Sequence, residues 1–362
     1  MKMTGRERMY TAMSGGKADR VPFMPQICFP HAVLQLEDDY EAGIIKCIED
    51  PHHMMELMFE ITKLYQSDGF RILGGSGNDY KVSKASGEYI VSDAGTGKRV
   101  GTLNIGTGGI EPDEHPVKSM KDVEAMEVPG VDEIYASKEF ELYRQVIGWA
   151  GDDFCKVAGI GLGLSPVVSS RGADNALFDL YDNEELVQAL IEKHLRIAVN
   201  RAKAYSRCGI DTIYSGDPWS SCSVISPQVF EKYSFPCFKQ FIEEVKPTGM
   251  QIYVHICGNV DPIVERIAQL GADCIEPMDP LGGVSPAEFR RRVGKTTALM
   301  GGVNTVTLST GTPEDVRKEA LACIEGAGKD GAYVLAAGDM VPFDTPRENV
   351  FAMMEVAQGY KY

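Results

Sequence analysis

His255 and Cys257 flank Ile256 at the end of the apolar run Met250–Val254, and Gly258 follows them. Side chains alternate faces along a strand, so an imidazole and a thiol two positions apart point the same way. These are the ligand types zinc favours most, and the pair reads as half of a metal site. A catalytic zinc keeps three protein ligands and one open position. Glu276 and Asp339, each just past a later apolar run, are the candidates for the third. A neutral imidazole, a thiolate and a carboxylate together balance a divalent cation. Oxygen is a harder donor than sulfur and leaves zinc the stronger Lewis acid. Other polar residues at such run ends take supporting roles. Asp217 would orient His255 or hold a proton, and Asn304 would hydrogen-bond substrate. Gly301-Gly302 would let a large cofactor face approach the backbone.

The elements that must position these groups follow one grammar in the C-terminal half. Apolar runs at Asp211–Tyr214, Met250–Val254, Ala272–Ile275, Thr297–Met300 and Ala332–Leu335 each end in polar residues, and a helix follows. Ser226-Pro227, Ser285-Pro286, Thr312-Pro313 and Thr345-Pro346 place an N-cap oxygen before a proline at the first helical position. Thr4…Glu7, Ser285…Glu288 and Thr345…Glu348 fit the capping box. Five successive βα units predict a parallel sheet.

The N-terminal half is less regular. Val21–Ile27, Phe70–Leu73 and Lys156–Ile160 are candidate strands, and Pro51–Gln66 and Asn183–Cys208 are candidate helices. Lys81–Val100 alternates around Ser86-Gly87 and Thr96-Gly97, as inserted β-hairpins do. The expected fold is a single α/β domain over residues 1–362, a (β/α)8 TIM barrel with an N-terminal elaboration. Such a barrel gathers its strand ends, and with them Asp217, His255, Cys257, Glu276, Asn304 and Asp339, at one face.

Composition narrows the function classes. The chain has 362 residues, 44% hydrophobic and 24% charged, an ordinary globular balance. A formal net charge of −16 argues against a nucleic-acid surface, which needs clustered Lys and Arg. No apolar run approaches the roughly 20 residues of a membrane span. Met1–Arg20 lacks the apolar core of a signal peptide. Nine scattered cysteines without a CxxC pair read as reduced, so the expected location is cytoplasmic. Met54, Met55 and Met58, with Leu57 and Ile61, read as the core stripe of a helix. His52-His53 are adjacent on that helix and do not share a face. Gly159-Ile160-Gly161-Leu162-Gly163 lacks the Lys-Ser/Thr ending of a phosphate loop.

Three stretches carry a family resemblance. Thr4-Gly5-Arg6-Glu7-Arg8, Asp19-Arg20-Val21-Pro22 and the closing Gly338-Asp339-Met340-Val341-Pro342-Phe343-Asp344-Thr345-Pro346-Arg347-Glu348-Asn349 are similar to segments of the uroporphyrinogen decarboxylase superfamily. Within it, His255-Ile256-Cys257-Gly258 resembles the zinc methyltransferase branch, which includes methylcobamide:coenzyme M methyltransferases and corrinoid-dependent O-demethylase components. The resemblance implies a bound zinc, a cobalamin on a separate corrinoid protein, a small-molecule methyl donor or acceptor, and a homodimer. It carries two zinc ligands over to His255 and Cys257. The third, a cysteine in that branch, is Asp339 here. Two chemistries follow: activation of a substrate thiol that accepts a methyl group from cobalt, or polarisation of a methoxy oxygen whose methyl a reduced corrinoid takes. The oxygen donor tilts the reading to the second.

Two alternatives use the same barrel. A metal-free decarboxylase of porphyrinogen-like acids needs arginines after the first strand, and Val21–His31 has none. A non-catalytic corrinoid- or thiol-binding protein would explain the missing cysteine.

Overall fold

The computed structural model describes residues 2–73, 77 and 79–362. Four helices, α1 (Gly5–Met13), α2 (Phe29–Leu36), α3 (Tyr40–Glu49) and α4 (Pro51–Leu64), precede β1 (Gly69–Ile72). A separate antiparallel sheet follows, of β2 (Tyr80–Ala85), β3 (Glu88–Asp93), β4 (Arg99–Leu103) and β5 (Ile110–Pro112). Its first turn is the expected Ser86-Gly87 pair, with Ala85 opposite Glu88 and both turn residues at positive φ. The chain then runs through β6 (Cys155–Gly161), β7 (Thr212–Gly216), β8 (Gln251–His255), β9 (Cys274–Glu276), β10 (Ala298–Val303) and β11 (Tyr333–Ala337). With β1 these form a seven-stranded parallel sheet in the order β1-β6-β7-β8-β9-β10-β11.

Strands β8, β10 and β11 are buried along their whole length. A parallel strand covered on both faces needs a continuous apolar run, which is the pattern these segments carry. The architecture is a TIM-like α/β fold of seven strands rather than eight. Val21–Ile27 makes only isolated bridges, Phe23 to Leu335 and Ile27 to Val341. Pro22 and Pro25 have no N–H to give, so a regular ladder cannot form there. The segment still reaches both sheet edges. Pro22 O accepts from Leu335 N at 2.9 Å, and Phe23 O accepts from Asp68 N at 2.7 Å.

The opening motif is the clamp at this seam. Arg8 donates to Asp68 at 2.9 Å, Arg20 grips both oxygens of Asp68 at 2.9 Å, and Phe23 N donates to Asp68 at 2.8 Å. Thr4 and Glu7 form the expected capping box of α1. Met9, Ala12 and Met13 of that helix pack with Val157, Tyr253, Cys274, Ala298, Met300 and Val334. The methionine stripe of α4 is buried as expected.

Two caps differ from expectation. Ser285 accepts from Glu288 N, but the Glu288 carboxylate pairs with Arg291 instead of closing a capping box. The last helix spans Arg347–Gly359 with Pro346 as its N-cap. Thr345 N donates to Pro342 O at 3.1 Å, and this turn leaves the threonine hydroxyl buried without a partner. Among the described residues, no helix is long and apolar enough to cross a membrane.

Candidate metal centre

His255 closes β8 and Glu276 closes β9, and the two are register partners in that parallel pair. Residues at matched positions of neighbouring strands project to the same side. Glu276 Oε2 therefore meets His255 Nδ1. Both side chains are buried, at 3% and 2% exposure, so the contact is not diluted by water. Cys257 lies past the strand end, where Gly258 turns the chain at φ +89°. A Cβ on Gly258 would fall 2.9 Å from Ser223 Oγ and 3.2 Å from Ser221 Oγ, so the turn requires glycine. This turn keeps Cys257 beside the imidazole, within hydrogen-bonding reach. Asp339, after β11, brings Oδ1 to 3.8 Å from His255 Nε2.

The donor atoms of His255, Cys257 and Asp339 all lie within 4.8 Å of one another, the only such group of His, Cys, Asp and Glu among the described residues. Zinc held tetrahedrally at roughly 2.0–2.3 Å needs donors roughly 3.3–3.8 Å apart, so the set fits after side-chain adjustments of about 1 Å. With Nδ1 committed to Glu276, the Nε2 lone pair is the one left for a cation, in the tautomer this contact selects. Burial works against the imidazolium, but the Glu276 carboxylate and Tyr214 hold the His255 pKa well above its ordinary value. Burial also pushes the Asp339 carboxyl up, against the pull of His255, with Glu276 and Asp279 adding to the rise.

The other expected residues are placed differently. Glu276 stands behind the imidazole instead of within the three-donor group. Asp217 was expected to orient His255, but its carboxylate is taken up elsewhere. It accepts from Leu164 N at 2.8 Å, from Ser165 N at 3.0 Å and Oγ at 2.8 Å, and from Ser220 Oγ. It thereby satisfies the amides at the start of the helix Leu164–Arg171 that have no partner within the helix. Burial raises its pKa to about 6 despite these donors.

Asn304 caps the helix Thr305–Thr310, its Oδ1 accepting from Val306 N at 2.8 Å. Gly301 and Gly302 are buried within β10. A Cβ on Gly301 would meet Met278 N at 2.8 Å, and one on Gly302 would meet Cys323 Sγ at 2.9 Å. Their role is close packing of strand and helix, not approach to a cofactor.

Three residues outside the expected set converge on the same place: Gln26, Arg71 and Tyr214. Arg71 had a visible signal, a charge inside the otherwise apolar Phe70–Leu73. A cavity of about 1050 Å³ opens among the N-terminal residues Thr4, Arg6 and Tyr10 and the strand-start residues Asp211, Met250 and Gln251. The donor cluster is at the other end of those strands, where the fold places active sites.

The family model for uroporphyrinogen decarboxylase (URO-D) matches residues 102–360. The chain is 26% identical to the methylcobamide:CoM methyltransferase MtbA of Methanosarcina acetivorans over 371 residues, 99% of each chain. It is also 26% identical to a uroporphyrinogen decarboxylase of Coxiella burnetii over 259 residues, 68% of this chain and 69% of that one. Among solved structures, a methyltransferase from Methanosarcina mazei shares the fold at a TM-score of 0.76 and 21% identity, covering 98% of both chains.

Proposed function

The chain belongs to the uroporphyrinogen decarboxylase family, and on that premise we propose that it is a zinc-dependent methyltransferase moving a methyl group between a corrinoid protein and a small methoxy compound or thiol. We read its seven strands, with Val21–Ile27 at the seam, as a (β/α)8-type barrel spanning residues 1–362. The observation that carries the proposal is the convergence of His255, Cys257 and Asp339 donors within 4.8 Å at one strand-end face. The full-length similarity to a methylcobamide:CoM methyltransferase supports the corrinoid as partner.

In this reading His255 Nε2, Cys257 Sγ and Asp339 hold the zinc. When bound, the zinc supplies a Lewis acid that lowers a substrate thiol's pKa or polarises a methoxy oxygen. Glu276 keeps the imidazole turned so that Nε2 faces Asp339. The carboxylate of Asp339 makes the donor set harder than one with two sulfurs, which favours a methoxy substrate over a thiol. Asn304, with Oδ1 engaged by Val306, offers its amide N–H groups to substrate. Leu281, Val306, Met340 and Phe343 are exposed in the segments after β9, β10 and β11. Apolar side chains on this rim suit the approach of a protein that carries a large cofactor.

The test is metal content and turnover. Purified protein is expected to hold one zinc per chain and to demethylate methylcobalamin with a thiol, or methylate reduced cobalamin from a methoxyaromatic. Chelation should abolish both activities. Zinc-free protein with chelator-insensitive turnover would overturn the reading.

A further inference from the structure

We propose that Gln26 and Arg71 are positioning residues for His255, completing a ring of five side chains that pins the Glu276 carboxylate and, through it, the imidazole. The inference rests on the zinc reading above for its metal arm only.

The ring closes as follows. Glu276 Oε2 meets His255 Nδ1. With the Gln26 amide turned to satisfy both neighbours, its nitrogen donates to Glu276 Oε1 at 2.9 Å and its oxygen accepts from Arg71 Nη1 at 3.1 Å. The Arg71 guanidinium lies 4.4 Å from the Tyr214 ring centroid, and the Tyr214 and His255 ring centroids are 4.9 Å apart. The five residues come from five places in the chain: the seam segment, β1, β7, β8 and β9.

Each link has a physical role. The terminal torsion of a glutamate is soft, so a carboxylate held at one oxygen can swing. Gln26 holds the second oxygen, and both oxygens are then fixed. The guanidinium on the amide oxygen polarises that amide and strengthens its N–H as a donor. Arg71 makes no direct ion pair among the described residues, and Glu276 is the carboxylate that acts on its charge. The compensation therefore passes through the Gln26 amide. Tyr214 lies between the cation and the imidazole, attracted to the first and limiting rotation of the second. A support that served only packing would not need a charged residue whose counter-charge stands one hydrogen-bonded amide away.

Outer partners of a metal-bound histidine typically contribute about 10- to 100-fold in metal affinity, and that is the expected loss for Gln26→Leu and for Arg71→Met. Zinc affinity would be read by competition with a chromophoric chelator, on variants shown to be folded by circular dichroism. The chain has 6 histidines, so ring-nitrogen NMR of histidine-labelled, metal-free protein can follow His255 alone, assigned by its loss in His255→Ala. Both variants should shift that Nδ1 signal. A lowered melting temperature with unchanged zinc affinity and an unshifted signal would make the ring mere packing and overturn the inference. If Arg71→Met fails to fold, Gln26→Asn, which keeps the amide and shortens its reach, carries the same expectation. If wild-type protein binds no zinc, the zinc reading fails, and the Nδ1 signal still decides the positioning role.

Discussion

Asp339 Oδ1 stands 3.8 Å from His255 Nε2, the ring nitrogen that the contact with Glu276 leaves free. A carboxylate thus stands where the family resemblance implies a cysteine. Asp339→Cys is expected to keep stoichiometric zinc and to favour thiol over methoxy substrates. Asp339→Ala should lose stoichiometric zinc, as should His255→Ala and Cys257→Ala, by elemental analysis after dialysis. Full zinc in Asp339→Ala alone would hand the third position to Glu276.

Glu276 acts through His255 in this arrangement, and neutralising it should weaken the metal without removing a ligand. Glu276→Gln is expected to lower zinc affinity by about 10- to 100-fold while leaving one zinc per chain at saturation. A halved capacity, or an affinity equal to wild type, would count against the orienting role.

Asp68 ties the N-terminal motif to the sheet. Its side chain is 2% exposed and takes both Arg8 and Arg20. Removing one member of a buried ionic group leaves charges uncompensated, at a cost of about 3–5 kcal/mol. Asp68→Ala should lose stability on that scale in urea unfolding. A loss below about 1 kcal/mol, the level of an exposed pair, would show the clamp to be incidental.

His194 gives the stability a pH dependence. Burial lowers its pKa from the ordinary 6.5 to about 4, and Ser170 Oγ lies 2.8 Å from its Nε2. The unfolded chain takes up the proton below about pH 6.5 and the folded chain resists until about pH 4. The stabilisation is therefore present above pH 6.5 and is lost as pH falls through that window. At pH 5 the loss attributable to this group is at most about 2 kcal/mol, discounted for its partial exposure. Chemical unfolding at pH 7 and pH 5 should show a smaller decline in His194→Gln than in wild type. Parallel declines would remove His194 as the cause.

Some of this protein is written in short stretches of chain. His255 and Cys257 could be paired by eye because strand alternation relates residues two apart. Ser285 and Thr312 announce helix starts, and Ser86-Gly87 announces a hairpin, because capping and turn chemistry act over a few bonds. The run of apolar segments placed β7 to β11 within three residues at either end.

What only the tertiary structure decided is which distant side chains share a place. Glu276 and Asp339 are both candidates in sequence, and the β8–β9 register puts one behind the ring while the segment after β11 puts the other in front of it. Asp217 sits at a strand end like the others, yet the amides of Leu164 and Ser165 claim its carboxylate. Gln26 and Arg71 reach His255 only because the sheet curls until the seam and β1 face β8 and β9. Local patterns fix the elements, since backbone geometry and capping depend on near neighbours. The assignment of roles among polar groups depends on through-space distances, and those are set by how the sheet closes.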